Sequence, residues 1–147
     1  MEKQIGKTKD AGFQFGIRKT YPISSDDMWN FLFSEKGLNI WLGKLDRALE
    51  LKKEFKTEKG VRGYVRVFKP NSHIRINWQK KNWTNISTVQ LRVIGNIEKT
   101  TISFHQEKLV DPKQREEMKT YWNKIVNKIS MEIEQEARSE LKKRFQN

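Results

Sequence analysis

Residues 111–144, DPKQREEMKTYWNKIVNKISMEIEQEARSELKKR, decide the fold of this chain. Asp111 can cap a helix, and Pro112 is preorganised for its first turn. Met118, Trp122, Ile125, Ile129, Ile133, Ala137 and Leu141 then recur at steps of three and four. That spacing places them on one helical face, with Lys, Glu, Arg and Gln elsewhere. It predicts a helix of about 30 residues, about 45 Å long. A helix so one-sided needs a cover for its apolar stripe, and only the 110 residues before it can supply one within the chain.

Those residues read mostly as strands. Phe13, Phe15 and Ile17 alternate with polar neighbours up to Tyr21-Pro22. Ser24, with Asp27 three places on, resembles a capping box before Met28, Trp29, Leu32 and Phe33. A short helix is expected there, broken by Gly37, and a second from Leu38 to Leu42, closed by Gly43. A weak, charged strand follows over Ala48–Thr57. Val61–Lys69 puts Val61, Gly63, Val65 and Val67 on one face and Arg62, Tyr64, Arg66 and Phe68 on the other. His73–Gln79 groups Ile74, Ile76 and Trp78; Thr84–Ile94 groups Val89, Leu91 and Val93; Thr100–Leu109 groups Ile102 and Phe104. Gly95-Asn96 is a turn signal between the last two. The expectation is an α+β chain: a curved antiparallel sheet of about six strands wrapped on the long C-terminal helix, with two short helices after strand 1. Residues 1–12 read as a flexible tail and 13–147 as one domain.

The net charge of +12 is uneven. Residues 41–80 hold 11 Lys and Arg against 4 Asp and Glu, whereas residues 111–147 hold 9 against 7. The chain contains no Cys, which excludes a disulfide, a thiol nucleophile and a thiolate metal site. Its first ten residues carry no apolar run, and no stretch approaches the roughly 18 apolar residues of a membrane span. A cytoplasmic location is expected.

Catalytic constellations are lacking. His73 and His105 are far apart in sequence. His105-Gln106-Glu107 matches H-x-E, but a deaminase also needs P-C-x-x-C. No zinc-ligand spacing, phosphate loop or G-x-S-x-G occurs, so no catalytic residue, metal or cofactor is expected and the chain is read as non-enzymatic. Gly60-Val61-Arg62-Gly63 matches the G-x-x-G clamp of KH domains, but between strands rather than helices, so nucleic acid is disfavoured.

The ordered motifs resemble a known family. Tyr21-Pro22-Ile23-Ser24-Ser25-Asp26-Asp27-Met28-Trp29 is similar to the opening of the START-like (SRPBCC) superfamily, within it the group named after the activator of Hsp90 ATPase, homologue 1. Gly37–Gly43 with Trp41, Gly63-Tyr64-Val65 through Pro70 to Trp78, Thr101–Phe104 and the Trp122 helix resemble its later motifs. Gln106-Glu107-Lys108 departs from the group's H-x-G. The resemblance implies a helix-grip fold with a cavity between sheet and helix. Trp41, Val65, Val67, Ile76, Trp78, Leu91, Phe104, Trp122 and Ile125 would line that cavity and hold a small apolar or amphipathic ligand. The alternative is a co-chaperone-like interaction module. Its basic convex face, with Arg62, Tyr64, Arg66 and Arg75, would dock on an acidic protein.

Overall fold

The computed structural model describes residues 7–8 and 12–145, and side chains over 12–143. The order is β1 (Lys7–Thr8), β2 (Gly12–Tyr21), α1 (Ser25–Leu32), α2 (Glu35–Trp41), β3 (Glu54–Lys56), β4 (Arg62–Lys69), β5 (His73–Gln79), β6 (Ser87–Gly95), β7 (Thr100–Leu109) and α3 (Pro112–Phe145). One antiparallel sheet runs β1-β2-β7-β6-β5-β4-β3. The six expected strands are present, joined by the two-residue β1. Of the expected tail, Lys7 and Thr8 pair with Phe13 and Gly12; the rest of residues 1–11 lies outside the described residues.

The helix of the opening stretch forms as its signals require. The Asp111 carboxylate accepts from the Gln114 N–H at 2.7 Å, and Pro112 is the first helical residue. Met118, Trp122, Ile125, Ile129 and Ile133 are buried, and Val126 joins them. Ala137 and Leu141 share the periodicity but are exposed, Leu141 at 52%. Length explains the difference. The helix has 34 residues, about 51 Å, while the longest strand has ten, about 34 Å. The last turns of α3 overrun the sheet.

Ser24 caps α1 by accepting from Asp27 N–H at 3.1 Å. Gly37 does not break that helix. It lies inside α2, where a Cβ would come within 1.9 Å of the Phe31 carbonyl oxygen. Glycine there allows the two helices to meet. Gly43, at φ +123°, closes α2 and donates to the Leu38 carbonyl. The strand expected over Ala48–Thr57 shrinks to Glu54–Lys56. Lys52 at φ 61° turns the chain, so that Lys52 N–H and Val65 N–H exchange bonds with Val65 and Lys53 carbonyls instead of a regular ladder. Residues 84–86 likewise fall before β6. The loop they belong to folds Trp83 back onto Trp78, edge to face at 5.3 Å.

One register change alters the faces. In β4, Val65 pairs with Ile76 but Val67 pairs with Arg75 and Phe68 with Ile74. Arg66 is the extra residue of a β-bulge, and beyond it the strand's two faces exchange. Strict alternation therefore misassigns Val67 and Phe68. Phe68 turns inward against Trp29 and Phe33, at 6.2 and 5.5 Å between ring centroids. Val67 turns outward beside Arg75.

Candidate functional site

The concave side of the sheet brings together eight of the nine expected lining residues; Val67 is the exception, for the reason just given. Trp41, Val65, Ile76 and Leu91 are 0% exposed, Phe104 and Trp122 1%, Trp78 2% and Ile125 4%. Their rings interlock. Phe104 stacks on Trp122 at 4.7 Å and meets Trp41 at 6.0 Å, and Tyr121 stands edge-on to Trp122 at 4.9 Å. A void that admitted water between these groups would leave them accessible surface, and they keep almost none. This layer is packed as a core.

A polar chain threads that layer. Trp122 Nε1–H donates to Gln106 Oε1 at 2.8 Å. Gln106 Nε2–H donates to Ser87 Oγ at 2.9 Å, and the Ser87 hydroxyl donates to the Trp78 carbonyl at 2.6 Å. Gln106 and Ser87 are both 0% exposed. The Tyr121 hydroxyl donates to the Trp41 carbonyl at 3.0 Å, and burial pushes its pKa up to about 12. Trp78 Nε1–H is buried without a hydrogen-bond acceptor; its ring lies edge to face with Trp83. Sequence reading missed Gln106 as an interior residue. The signal was there: it shares the parity of Ile102 and Phe104 along β7.

The convex side is the opposite in character. Reading across the strand pairs gives parallel rows of outward residues. One row runs Lys69, His73, Arg92, Ser103, Arg18. The next runs Val67, Arg75, Gln90, His105, Gly16, with Arg66 exposed at the bulge. A third runs Glu54, Tyr64, Asn77, Thr88, Glu107, and Lys56, Arg62 and Gln79 close the set. The outward cations are Arg18, Lys56, Arg62, Arg66, Lys69, Arg75 and Arg92, against the carboxylates Glu54 and Glu107. Arg75 is bound to Glu107 at 2.8 Å. His73 bonds Ser72 Oγ at 2.8 Å through Nδ1, and His105 bonds Gln14 Oε1 at 2.9 Å through Nε2. Desolvation, then the positive charges of Arg92 and Lys69, lower the His73 pKa from its usual value.

Of the four expected docking residues, Arg62 and Tyr64 meet in one groove. It measures about 690 Å³ and also holds Arg47, Glu54, Asn77 and Ile86. Arg66, at the bulge itself, and Arg75, just past it, lie farther along the sheet, and Phe68 leaves this face altogether. Arg92, Lys69 and Arg18 were not singled out from the sequence. They lie on separate strands, and only the register joins them. Among the described residues no cluster of three or more His, Asp or Glu is placed to hold a metal ion. Among the described residues no helix is long and apolar enough to cross a membrane.

No family model and no curated protein matches the chain. Solved structures do. DynU16, a protein in the dynemicin biosynthetic locus, superposes with a TM-score of 0.74 at 15% identity over 82% of this chain, which spans 47% of that one. CalU16 from Micromonospora echinospora gives 0.73 at 18%, covering 82% of this chain and 73% of its own. PFC0360w, an Hsp90 activator from Plasmodium falciparum, gives 0.71 at 16%, covering 82% and 95%. A likeness at such low identity speaks for the fold and not for an activity. With the curved sheet, the two short helices after the first long strand and α3 gripped on the concave face, these superpositions identify the architecture as the α+β helix-grip fold.

Proposed function

We propose that this chain is a non-enzymatic docking module that engages an acidic protein surface through the convex face of its sheet. The observation that carries this reading is the outward set of seven cations against two carboxylates, on a sheet face that no helix among the described residues covers. Arginine suits such a contact, because its planar guanidinium pairs carboxylates in a fork and is only weakly hydrated. Few aromatics lie on this face, which makes base stacking with single-stranded nucleic acid a poorer match. The likeness to an Hsp90 activator supports a partner of the chaperone type. The test measures binding of this chain to Hsp90 by calorimetry, with the variant Arg66→Ser, Arg92→Ser and Lys69→Ser alongside. Binding should weaken as salt rises, because exposed charges are screened within about 8 Å at physiological ionic strength, and the variant should bind at least about tenfold less tightly. Equal binding by the variant would refute the docking face.

A second reading has its own support. Gln106, Ser87 and the unpartnered Trp78 indole place polar groups inside an otherwise apolar layer, as sites for small amphipathic molecules do. Such a ligand would have to part the rings between sheet and α3. An apolar dye whose fluorescence rises on binding, and falls again when lipid-like compounds are added, would support this reading. A dye that never binds the folded chain would remove it.

A further inference from the structure

At one end of the sheet, two turns face each other across a cleft. The turn between β3 and β4 contributes Lys56, Thr57, Glu58, Lys59, Gly60, Val61 and Arg62; the stretch from β5 toward β6 contributes Gln79, Lys80, Lys81, Asn82 and Trp83. The cleft is open to solvent along one side and measures about 710 Å³, comparable in volume to small-ligand sites. Five cations line it against one carboxylate, Glu58. Lys80 is paired with Glu117 of α3. Lys56, Lys59, Arg62 and Lys81 form no ion pair among the described residues.

The geometry holds some of these charges in place. Gly60 sits at φ +93°, and a Cβ there would come within 3.0–3.3 Å of the Lys81 side chain. The bare glycine thus lets the stem of Lys81 lie across the opposite turn. Gln79 Nε2–H donates to the Trp83 carbonyl at 2.8 Å, which fixes the loop that carries the indole. Trp78 backs that indole from the core. Unpaired cations crowded together repel one another, and a multivalent anion relieves that repulsion while forming charge-assisted hydrogen bonds. A single carboxylate leaves most of this charge unanswered; a chain of phosphates does not. Trp83 adds an aromatic wall at the same cleft.

We propose that this cleft binds a nucleoside di- or triphosphate, with its phosphates among Lys56, Lys59, Arg62 and Lys81 and its base against Trp83. The site shares Lys56 and Arg62 with the edge of the docking face but is centred beyond it, since Lys59, Lys81 and Trp83 lie on the turns and not on the outward rows of the sheet.

The experiment follows binding of ATP, and separately of inorganic pyrophosphate, to the full chain by calorimetry at low salt. ATP should bind more tightly than pyrophosphate. The Lys59→Ser, Lys81→Ser double variant should weaken both by about tenfold or more, the loss of two charge-assisted bonds. Trp83→Leu should weaken ATP alone, by about fivefold, for a lost stacking contact. Gly60→Ala should weaken both by displacing Lys81. The control Lys142→Ser, Lys143→Ser removes the same charge from exposed positions of α3 and should leave both affinities within about twofold. Thermal melts of each variant check that it folds. An equal effect of the control and cleft variants would mean that only the net charge attracts phosphate, and would overturn the site. Equal affinities for ATP and pyrophosphate, both unmoved by Trp83→Leu, would overturn the assignment of the base.

Discussion

The two faces of this sheet obey one alternation and end in opposite states. Inward residues of β4 to β7 are among the least exposed in the chain, with Val65, Ile76, Leu91 and Ile102 at 0%. Outward residues on the same strands are mostly polar or charged, and all but Thr88 are half-buried or exposed. The inward face is buried by α3, α1 and α2; among the described residues no helix lies over the outward face. The difference teaches where to look for a function. A filled face is committed to stability, and substitutions there should move folding. An uncovered, predominantly basic face is free to bind, and substitutions there should move recognition while leaving folding nearly alone.

The sharpest break on the inner side is Trp122→Ala. It removes a ring stacked on Phe104 and should cost about 3–5 kcal/mol of stability, read as a lower urea midpoint. A cost below about 1 kcal/mol would mean that the layer is loose and already open to a ligand. Gln106→Leu comes next. It leaves the Trp122 indole N–H buried without its acceptor, at about 1–3 kcal/mol. Near-neutral behaviour would mean that the polar chain is not a structural requirement, and would strengthen the small-ligand reading.

Alkaline pH sharpens the same contrast. The Tyr121 phenol is raised to about 12 by burial, so the folded state holds its proton more tightly than the unfolded state does. Its contribution to stability is complete below pH 10 and is lost as pH rises through about 12. Burial also raises Tyr21, so ultraviolet titration should find late-ionising tyrosine signal, and Tyr121→Phe should remove the part of it near 12. A Tyr121 that titrates near 10 would place it in water.

The outer face should respond far less. Arg75→Ser breaks an ion pair whose arginine side chain is 36% exposed, so a change below about 1 kcal/mol is expected. Arg66→Ser, at an exposed bulge, should change stability by no more than about 0.5 kcal/mol. The smallest effect concerns His73. Its lowered pKa means that protonation opposes the fold, so its contribution is present above pH 6.5 and is lost as pH falls through the folded value. Arg92→Ser removes one of the causes. It should move the His73 imidazole resonances to titrate nearer 6.5, and an unmoved curve would separate the two side chains.

How much of this was legible in the sequence follows from which information is local. The caps at Ser24 and Asp111, the stripe from Met118 to Ile133 and the inward sets on β5 to β7 are local patterns, and they formed as expected. Three features were not local. The bulge at Arg66 depends on how β4 pairs with β5, so alternation alone put Val67 and Phe68 on the wrong faces. Gly37 looked like a breaker because its need is steric: it lets α2 approach Phe31. The overrun of α3 beyond Ile133 reflects the length of the sheet, which helical periodicity does not report. The candidate surface was half legible. Arg62, Tyr64, Arg66 and Arg75 were visible on two adjacent strands, while Arg18 and Arg92 join them only through the register of β2, β7 and β6.

The most direct test of the docking account is a nuclear magnetic resonance footprint. The 15N-labelled chain would be titrated with Hsp90 at low salt, following backbone amides together with the indole N–H signals of Trp41, Trp78 and Trp122. The account predicts loss or shift of signals along the outward rows, at Arg66, Lys69, Arg75, Arg92 and Arg18, with the three interior indoles unmoved. Shifted interior indoles with a silent convex face would contradict it and move the function to the layer between sheet and helix.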